Sequence, residues 1–285
     1  MDTSVSVKDR RATRPDSRPL LILSASILVV LISAAIAAPQ VATHDPLQQD
    51  YTARLLAPGE QGHLLGTDDL GRDVFSRVIY GSRAALTVGI ISVSIALSVG
   101  LVVGLIAGLA GGTTEKVLML LMDGVLAFPT ILLAITVVTV FGYGISQVMI
   151  AVGIVFSPVF ARLIRAETLA IKSEGYVEAA RSLGTPLIVI TVKHILPNML
   201  GKIVVQCSVT FALSVVVEAG LSFLGLGTQP PNPSWGLMLK DARNYLFAAT
   251  WLAIYPGLAL ALTVLCFNLL GDALSDRFNP LTRRR

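Results

Sequence analysis

The chain has 285 residues, of which 54% are hydrophobic and 14% charged, with a formal net charge of +4 and a pI of about 9.2. Soluble domains carry about 25% charged residues, so this composition excludes an ordinary soluble protein and predicts an integral membrane protein. The basic residues form no stripe with interleaved aromatic residues, so no nucleic-acid partner is predicted. Basic loops on the cytoplasmic side of a membrane account for the same pI.

Six apolar segments are long enough to cross the hydrocarbon core of a bilayer, which takes about 20 residues. They lie at 20–38, 85–110, 117–141, 146–164, 199–224 and 249–271. The first segment ends in small residues, as a secretory signal does. Its apolar stretch is longer than the roughly 7–15 residues of a signal-peptide core, so we predict a retained span. The predicted fold class is therefore all-α, with six transmembrane helices.

The distribution of Lys and Arg predicts the orientation of these spans. If the N-terminus is inside, sixteen of the 22 basic residues fall on the cytoplasmic side, so both termini are expected in the cytoplasm. We divide the chain into an N-terminal part with the first span and an external segment (1–84), a core of five spans (85–275) and a basic tail (276–285).

The external segment at 39–83 is polar. We expect Thr67 to cap a short interfacial helix, in which Asp73 pairs with Arg77. The apolar face of this helix comprises Phe75, Val78 and Ile79. The acidic residues of the segment lack the ligand spacing of a calcium loop, and neither Cys207 nor Cys266 has a metal-ligand spacing. No metal site is therefore predicted.

Glycine recurs at every fourth position along the second span, at Gly100, Gly104, Gly108 and Gly112. Because these positions have no side chain, another helix can approach the span closely. That helix belongs either to this chain or to a partner subunit or pore lining. The spacing does not distinguish between these two interpretations.

Two acidic residues lie within predicted spans, Asp123 in the third and Glu218 in the fifth. A charge at the bilayer centre costs about 2.5–3.5 kcal/mol on insertion scales, so neither should face lipid. Each either lines a translocation path or braces helices through hydrogen bonds or a charged partner. Bracing is favoured for Asp123, and both roles stay open for Glu218. Phe128–Pro129 is expected to kink the third span.

The loop at 165–198, between the fourth and fifth spans, is the largest cytoplasmic feature. Its pattern predicts two short helices at an angle, of which the first ends at Gly184 in a left-handed cap. Ala179 and Ala180 keep the first helix slim, so another protein can approach it closely. The apolar positions of this helix are Tyr176, Val177, Ala180 and Leu183.

The sequence EAARSLG at 178–184, followed by ILP at 195–197, resembles the EAA motif of bacterial importer permeases of the ATP-binding cassette (ABC) type. The residues that match motif positions are Glu178, Ala179, Ala180, Gly184, Leu196 and Pro197. His194 departs from the pattern, because the family usually has an aliphatic residue there.

Three further stretches are similar to the dipeptide, oligopeptide and nickel permeases, in their second, C-type subunit (DppC/OppC-like). They are LGTDDLGRDVFSRVIYGSRAALTVG at 65–89, EAGLSFLGLGTQPPNPSWGLML at 218–239 and FNLLGDALSDRFNP at 267–280. The resemblance implies a MetI-like permease fold in the bacterial inner membrane. It also implies that the 165–198 loop, with Pro197 at its end, couples the permease to an ATPase.

On this resemblance the chain is a permease subunit of an ATP-driven importer of dipeptides or oligopeptides, with nickel chelates or glutathione as alternatives. The implied partners are a B-type permease, one or two ATP-binding subunits, a substrate-binding protein outside the cell, and membrane lipid. The chain contains no GxxxxGK[ST] phosphate loop, so ATP and Mg²⁺ are expected on the ATPase subunits alone. We therefore predict no catalytic residue, no cofactor and no enzyme activity in this chain.

Two other function classes are weighed against the permease. An ion-coupled secondary transporter predicts several intramembrane charges and inverted repeats with matched broken helices, whereas only two scattered acids and no evident repeat are found. An intramembrane enzyme requires a nucleophile–base pair or a metal motif within the spans. The histidines His44, His63 and His194 all lie outside the predicted spans. Both classes therefore rank below the permease.

Overall fold

Helices dominate residues 18–278, the part of the chain that the computed structural model describes. The helices are α1 (Arg18–Ile36), α2 (Ala38–Val41), α3 (Val74–Ala110), α4 (Gly112–Leu126), α5 (Thr130–Phe141), α6 (Ile145–Lys172), α7 (Gly175–Ser182), α8 (Leu187–Ile190), α9 (Leu196–Phe223), α10 (Trp235–Ala242) and α11 (Trp251–Phe278). The basic residues predicted for the N-terminal tail before Arg18, and most of the C-terminal tail, lie outside the described residues.

Four stretches of residues 18–278 are long and apolar enough to cross a membrane. They are Val74–Ala110, Ile145–Lys172, Leu187–Phe223 and Trp251–Asp276. α4 and α5 supply a fifth span only if this bent pair counts as one, and the apolar stretch Ile22–Ile36 of α1 is shorter than the others. The all-α membrane fold is thus confirmed, whereas by length and composition the helices account for four or five spans and not clearly six.

The predicted third span, 117–141, is two helices that meet at 93°. Pro129 has no N–H and takes an extended conformation (φ −55°, ψ 129°), so α4 ends at Leu126 and α5 begins at Thr130. The kink expected at Phe128–Pro129 is confirmed, but it is a right-angle break and not a bend within one helix.

The second span begins at Val74 and not at residue 85, because Asp73 caps α3. The Asp73 carboxylate accepts a hydrogen bond from Ser76 N at 2.8 Å. Thr67, the expected cap, lies in the preceding loop, where its hydroxyl donates to Ala53 O at 2.5 Å. A separate interfacial helix was therefore the wrong expectation, since the helix continues unbroken from Val74 into the apolar segment.

The predicted pairing of Asp73 with Arg77 is also wrong for the described residues. Arg77 Nε lies 3.5 Å from Asp68 Oδ2, and Arg77 Nη1 donates to Pro46 O at 3.1 Å. The Asp73 carboxylate faces His63 and His44 instead. Because Asp73 is the cap of α3, its side chain turns back over the helix start and away from Arg77 on the next turn.

The glycine stripe of α3 packs against α6 of the same chain. A methyl group at Gly104 would lie 2.7 Å from Ala161 O and 2.8 Å from Ile164 Cβ, and one at Gly100 would lie 2.9 Å from Ser157 O. Gly108 similarly faces Thr168. The fourth predicted member, Gly112, lies beyond the end of α3 with φ +56°, and no atom is within 4 Å of the position that its Cβ would take.

We predict that Gly104→Ala lowers the thermal stability of the purified protein in detergent. The added methyl group overlaps α6 and forces the two helices apart, and overpacking of this kind costs about 1–3 kcal/mol. Gly124→Ala in α4 is the matched control, because no atom lies within 4 Å of its Cβ position. Equal melting temperatures for the two variants would contradict close α3–α6 contact at Gly104.

Candidate functional site

The EAA segment forms α7, which ends in the left-handed cap that the sequence predicts. Gly184 has φ +78°. Its N–H donates to Arg181 O at 3.0 Å, and Thr185 N–H donates to Ala180 O at 3.1 Å. This pair of hydrogen bonds is the Schellman motif, which satisfies carbonyl groups that the end of a helix otherwise leaves unpaired. α7 is therefore a short helix with a fixed stop.

α7 buries one residue and exposes most of the others. Val177 is 3% exposed and anchors the helix to the core, and Ala180 packs partly buried against the same core. Leu183 is 86% exposed. The predicted apolar face is thus divided between contact with the bundle and an outward surface. We call Glu178, Ala179 and Leu183, all exposed, the α7 surface.

The second short helix of the loop is not separate, because α8 continues through a π-helical turn at Thr191–Ile195 into α9. Pro197 lies at the start of α9 and has no N–H to donate to the preceding turn. A wider π turn is a frequent accommodation of such a lost hydrogen bond. Asn198 fastens this turn, since its Nδ2 donates to His194 O at 2.6 Å and to Tyr176 Oη at 3.1 Å.

Ion pairs join α4 and α9 to α6. Asp123 of α4 accepts from Arg162 Nη2 at 2.6 Å, and Glu115 of α4 is paired with Arg165. Lys202 of α9 lies 2.7 Å from Glu167 of α6. Asp123 therefore contacts a charged partner on a neighbouring helix, the arrangement favoured from the sequence.

Glu218 lies in α9 and is 2% exposed. Its carboxylate accepts hydrogen bonds from Ser222 Oγ at 2.6 Å and from Thr228 Oγ1 at 3.2 Å. Ser222 Oγ in turn accepts from Thr228 N–H at 2.9 Å. This network ties the end of α9 to the loop that follows it, so in this structure Glu218 braces the loop and has almost no surface for a passing solute.

We predict that Glu218→Ala lowers the melting temperature of the purified protein, whereas Glu218→Gln leaves it closer to wild type. Alanine leaves two buried hydroxyl groups without an acceptor, which costs about 1–3 kcal/mol, whereas the glutamine amide oxygen still accepts. Melting temperature and substrate uptake are measured on the same preparations. If Glu218→Gln abolishes uptake without changing stability, Glu218 contacts the substrate and is not a brace.

At the opposite end of the bundle, the external segment and the start of α3 contact the stretch that follows α9. Trp235 is 2% exposed and its Nε1 donates to Val78 O at 3.0 Å, so the tryptophan of QPPNPSW is a core residue. Asp241 Oδ2 lies 3.7 Å from Arg72 Nη2. Burial raises the pKa of Asp241, although the Arg72 guanidinium opposes this shift. We call residues 39–73 together with 225–248 the loop end.

Comparison with known proteins identifies what this bundle is. Residues 100–284 match the family described as binding-protein-dependent transport system inner membrane component, and the match covers more than half of the chain. The chain belongs to this permease family. Residues 17–58 match the N-terminal TM domain of oligopeptide transport permease C, which confirms the C-type assignment.

The permease resembles curated relatives along most of its length. It is 42% identical over 280 residues to the glutathione transport system permease protein GsiD of Pectobacterium atrosepticum, covering 98% of this chain and 93% of the relative. It is 47% identical over 258 residues to GsiD of Shigella flexneri serotype 5b, covering 90% and 85% of the two chains. The chain is thus a transmembrane permease subunit of an ABC importer.

Among solved structures, the permease resembles a chain of the inward-facing MetNI methionine ABC transporter. The TM-score is 0.62 at 18% identity, covering 72% of this chain and 97% of the other. At this identity the similarity concerns the fold alone, and it confirms the expected MetI-like architecture.

The contacts that the sequence did not predict are those between residues far apart in the chain. Arg162 and Asp123 belong to different helices, as do Lys202 and Glu167. Each pair could have been suspected only as charges near the ends of apolar segments. No spacing rule joins such partners, because the packing of the helices determines which of them meet.

Proposed function

We propose that this permease forms a translocation path with a homologous B-type permease and moves short peptides by alternating access. Glutathione is the first substrate to test. The choice of glutathione rests on the 42–47% identity, over nearly the whole chain, to relatives named glutathione transport permease. Glutathione is itself a tripeptide and falls within the dipeptide and oligopeptide class that the motifs indicate.

The α7 surface is proposed to dock on an ATP-binding subunit that holds ATP and Mg²⁺, so that this chain transmits motion without an ATPase site of its own. The support is geometric. Glu178 and Ala179 are exposed, and within residues 18–278 no ion pair includes the Glu178 carboxylate. Five other residues of the loop are assigned to hold α7 in place behind that surface: Tyr176, Val177, Ala180, Gly184 and Pro197.

The bent pair α4–α5 is proposed as the contact with the B-type permease and with lipid. α4 has no buried residue, and α5 buries only Ala134 and Val138. The exposed apolar side chains of this pair include Val117, Leu120, Leu121, Ile131, Leu132 and Val140. Because these exposed side chains are all apolar, either lipid or an apolar surface of another subunit is expected to cover them.

The loop end is proposed to face the outside of the cell and to receive the substrate-binding protein. In this arrangement α1 is the sixth span, both termini are cytoplasmic, and the protein lies in the bacterial inner membrane. The support is the excess of Lys and Arg on the α7 side of the bundle. The divisions 1–84, 85–275 and 276–285 follow from the same topology.

Cysteine labelling of intact cells tests this orientation. In a background of Cys207→Ser and Cys266→Ala, single cysteines at Tyr51 and Phe247 should react with a membrane-impermeant reagent, and one at Leu183 should not. These positions are 65%, 106% and 86% exposed, so the permease itself does not bury any of them. Labelling at Leu183 from outside would overturn the topology.

The substrate is tested in a strain that lacks the importer and carries this permease with its partner subunits on a plasmid. We expect uptake of labelled glutathione or dipeptides, with loss of uptake when the ATPase phosphate-loop lysine is changed to alanine. Uptake of labelled nickel without peptide uptake would instead identify the alternative substrate. Uptake that persists with the inactive ATPase would identify an ion-coupled transporter and overturn the ATP-driven function.

A further inference from the structure

Three potential metal ligands converge at the loop end, although the sequence spreads them over thirty residues. His44 follows α2, His63 lies in the loop before α3, and Asp73 is the N-cap of α3. His63 Nδ1 lies 2.8 Å from Asp73 Oδ1, and His44 Nδ1 lies 3.6 Å from the same oxygen. The ligand atoms of all three residues lie within 4.8 Å of one another.

These separations fit the coordination of a transition metal. In a tetrahedral site with bonds of about 2.0–2.1 Å, neighbouring ligand atoms are roughly 3.3 Å apart. The distances from Asp73 Oδ1 to His63 Nδ1 (2.8 Å) and to His44 Nδ1 (3.6 Å) lie on either side of this value. Small shifts of the side chains would therefore place a metal ion between the two imidazoles and the carboxylate.

An ordinary hydrogen bond from His63 to Asp73 explains only part of this arrangement. It does not explain why His44 stacks on His63, with ring centroids 4.4 Å apart and an angle of 27° between the planes. The 3.6 Å between His44 Nδ1 and Asp73 Oδ1 is too long for a hydrogen bond, although Thr43 Oγ1 lies 3.1 Å from the same nitrogen. Both imidazoles direct Nδ1 at the same carboxylate oxygen, which brings the three potential ligand atoms into one small space.

The carboxylate is held ready to bind a cation. Asp73 Oδ2 is occupied by Ser76 N–H at 2.8 Å and by the Thr43 hydroxyl at 3.3 Å, so Oδ1 is the oxygen that faces the histidines. Asp73 therefore presents one carboxylate oxygen to both imidazoles.

The site is reachable from the solvent. The Asp73 side chain is fully buried and that of His63 is 13% exposed, whereas the side chain of His44 is 39% exposed. His44 also lines an open cleft together with Thr43, Asp45, Tyr80, Asn232 and Pro233. A metal ion can enter from this cleft, and a coordination position is left there for water or another ligand.

We propose that His44, His63 and Asp73 form a binding site for a divalent transition metal of the Zn²⁺ type. Two imidazoles and one carboxylate are ligands that suit Zn²⁺, Co²⁺ and Ni²⁺ better than Ca²⁺ or Mg²⁺. The bound ion fastens the segment after α2 to the N-terminus of α3, which stiffens the loop end.

The test is Zn²⁺ binding to the assembled importer in lipid nanodiscs, prepared with an affinity tag that contains no histidine. We expect one Zn²⁺ per permease by titration calorimetry and a higher melting temperature with Zn²⁺. We also expect the intense visible absorption of four-coordinate Co²⁺ when Co²⁺ replaces Zn²⁺. His44→Gln should weaken binding at least tenfold and remove the rise in melting temperature, and because His44 is partly exposed, the variant is expected to fold.

His194→Gln is the matched control, because His194 is the third of the three histidines of the chain and lies at the α7 end. It should bind Zn²⁺ as the wild type does. His63→Gln should behave like His44→Gln. Zn²⁺ binding that is absent from the wild type, or equally strong in wild type and His44→Gln, would overturn the proposal.

Discussion

Glu178→Ala is expected to lower substrate uptake and stimulated ATP hydrolysis together, while the permease still inserts and still receives its binding protein. Glu178 is exposed on α7, and within residues 18–278 no ion pair includes its carboxylate. Loss of the side chain therefore removes no such pair from this chain. The expected effect lies entirely in the proposed contact with the ATP-binding subunit.

The size of the effect follows from the strength of such a contact. Hydrogen bonds to a charged group contribute about 1.5–3 kcal/mol, so their loss weakens docking roughly ten- to hundredfold. The measurement is reconstitution of the importer in liposomes, with uptake and ATP hydrolysis followed side by side. Glu174→Ala is the control, because Glu174 is also exposed but lies outside the EAA motif.

Ala179→Trp should have the same effect more severely, because the indole keeps the ATPase from approaching the helix. The structure favours position 179 over 180 for this test. Ala180 is partly buried against the core, so a bulky residue there would also disturb the permease itself. If Glu178→Ala and Ala179→Trp both retain tight coupling, α7 is a connector, and the docking proposal is wrong.

Gly184→Val is expected to leave the permease in the membrane but to prevent its assembly with the ATP-binding subunits. Gly184 has φ +78°, a conformation that costs a β-branched residue about 1–3 kcal/mol. No atom lies within 4 Å of the position that a Cβ would take, so the substitution acts on the backbone and not through a clash. α7 has only 8 residues and few buried contacts, so this cost is enough to unwind its end.

Co-purification with tagged ATPase measures this effect, and membrane content of the variant shows that it inserts. Gly184→Asn should assemble well, because asparagine tolerates the left-handed conformation better than other residues with a side chain. Gly175→Ala is a second control, since Gly175 begins the same helix without a positive φ and with no atom near its Cβ position. Normal assembly of Gly184→Val would show that the Schellman cap does not position the α7 surface.

The local signals of the sequence were sufficient for the membrane class, for a kink at Pro129 and for the end of α7 at Gly184. Each of these depends on a few adjacent residues: a run of apolar side chains, a missing N–H, or a backbone angle that only glycine adopts easily. The same local signals did not determine the start of α3 or the number of spans. The start of α3 also involves a contact with a residue farther back in the loop, since Asp73 at its cap pairs with His63.

The tertiary structure alone decided which side chains meet. It placed the glycine stripe against α6, joined Asp123 to Arg162 and enclosed Glu218 between Ser222 and Thr228. It also gathered the proposed metal ligands from two loops and a helix cap, so no motif search along the chain could find them. A sequence restricts the conformation of each short segment, but contacts between segments depend on how the helices pack in three dimensions, and that packing is a property of the whole chain.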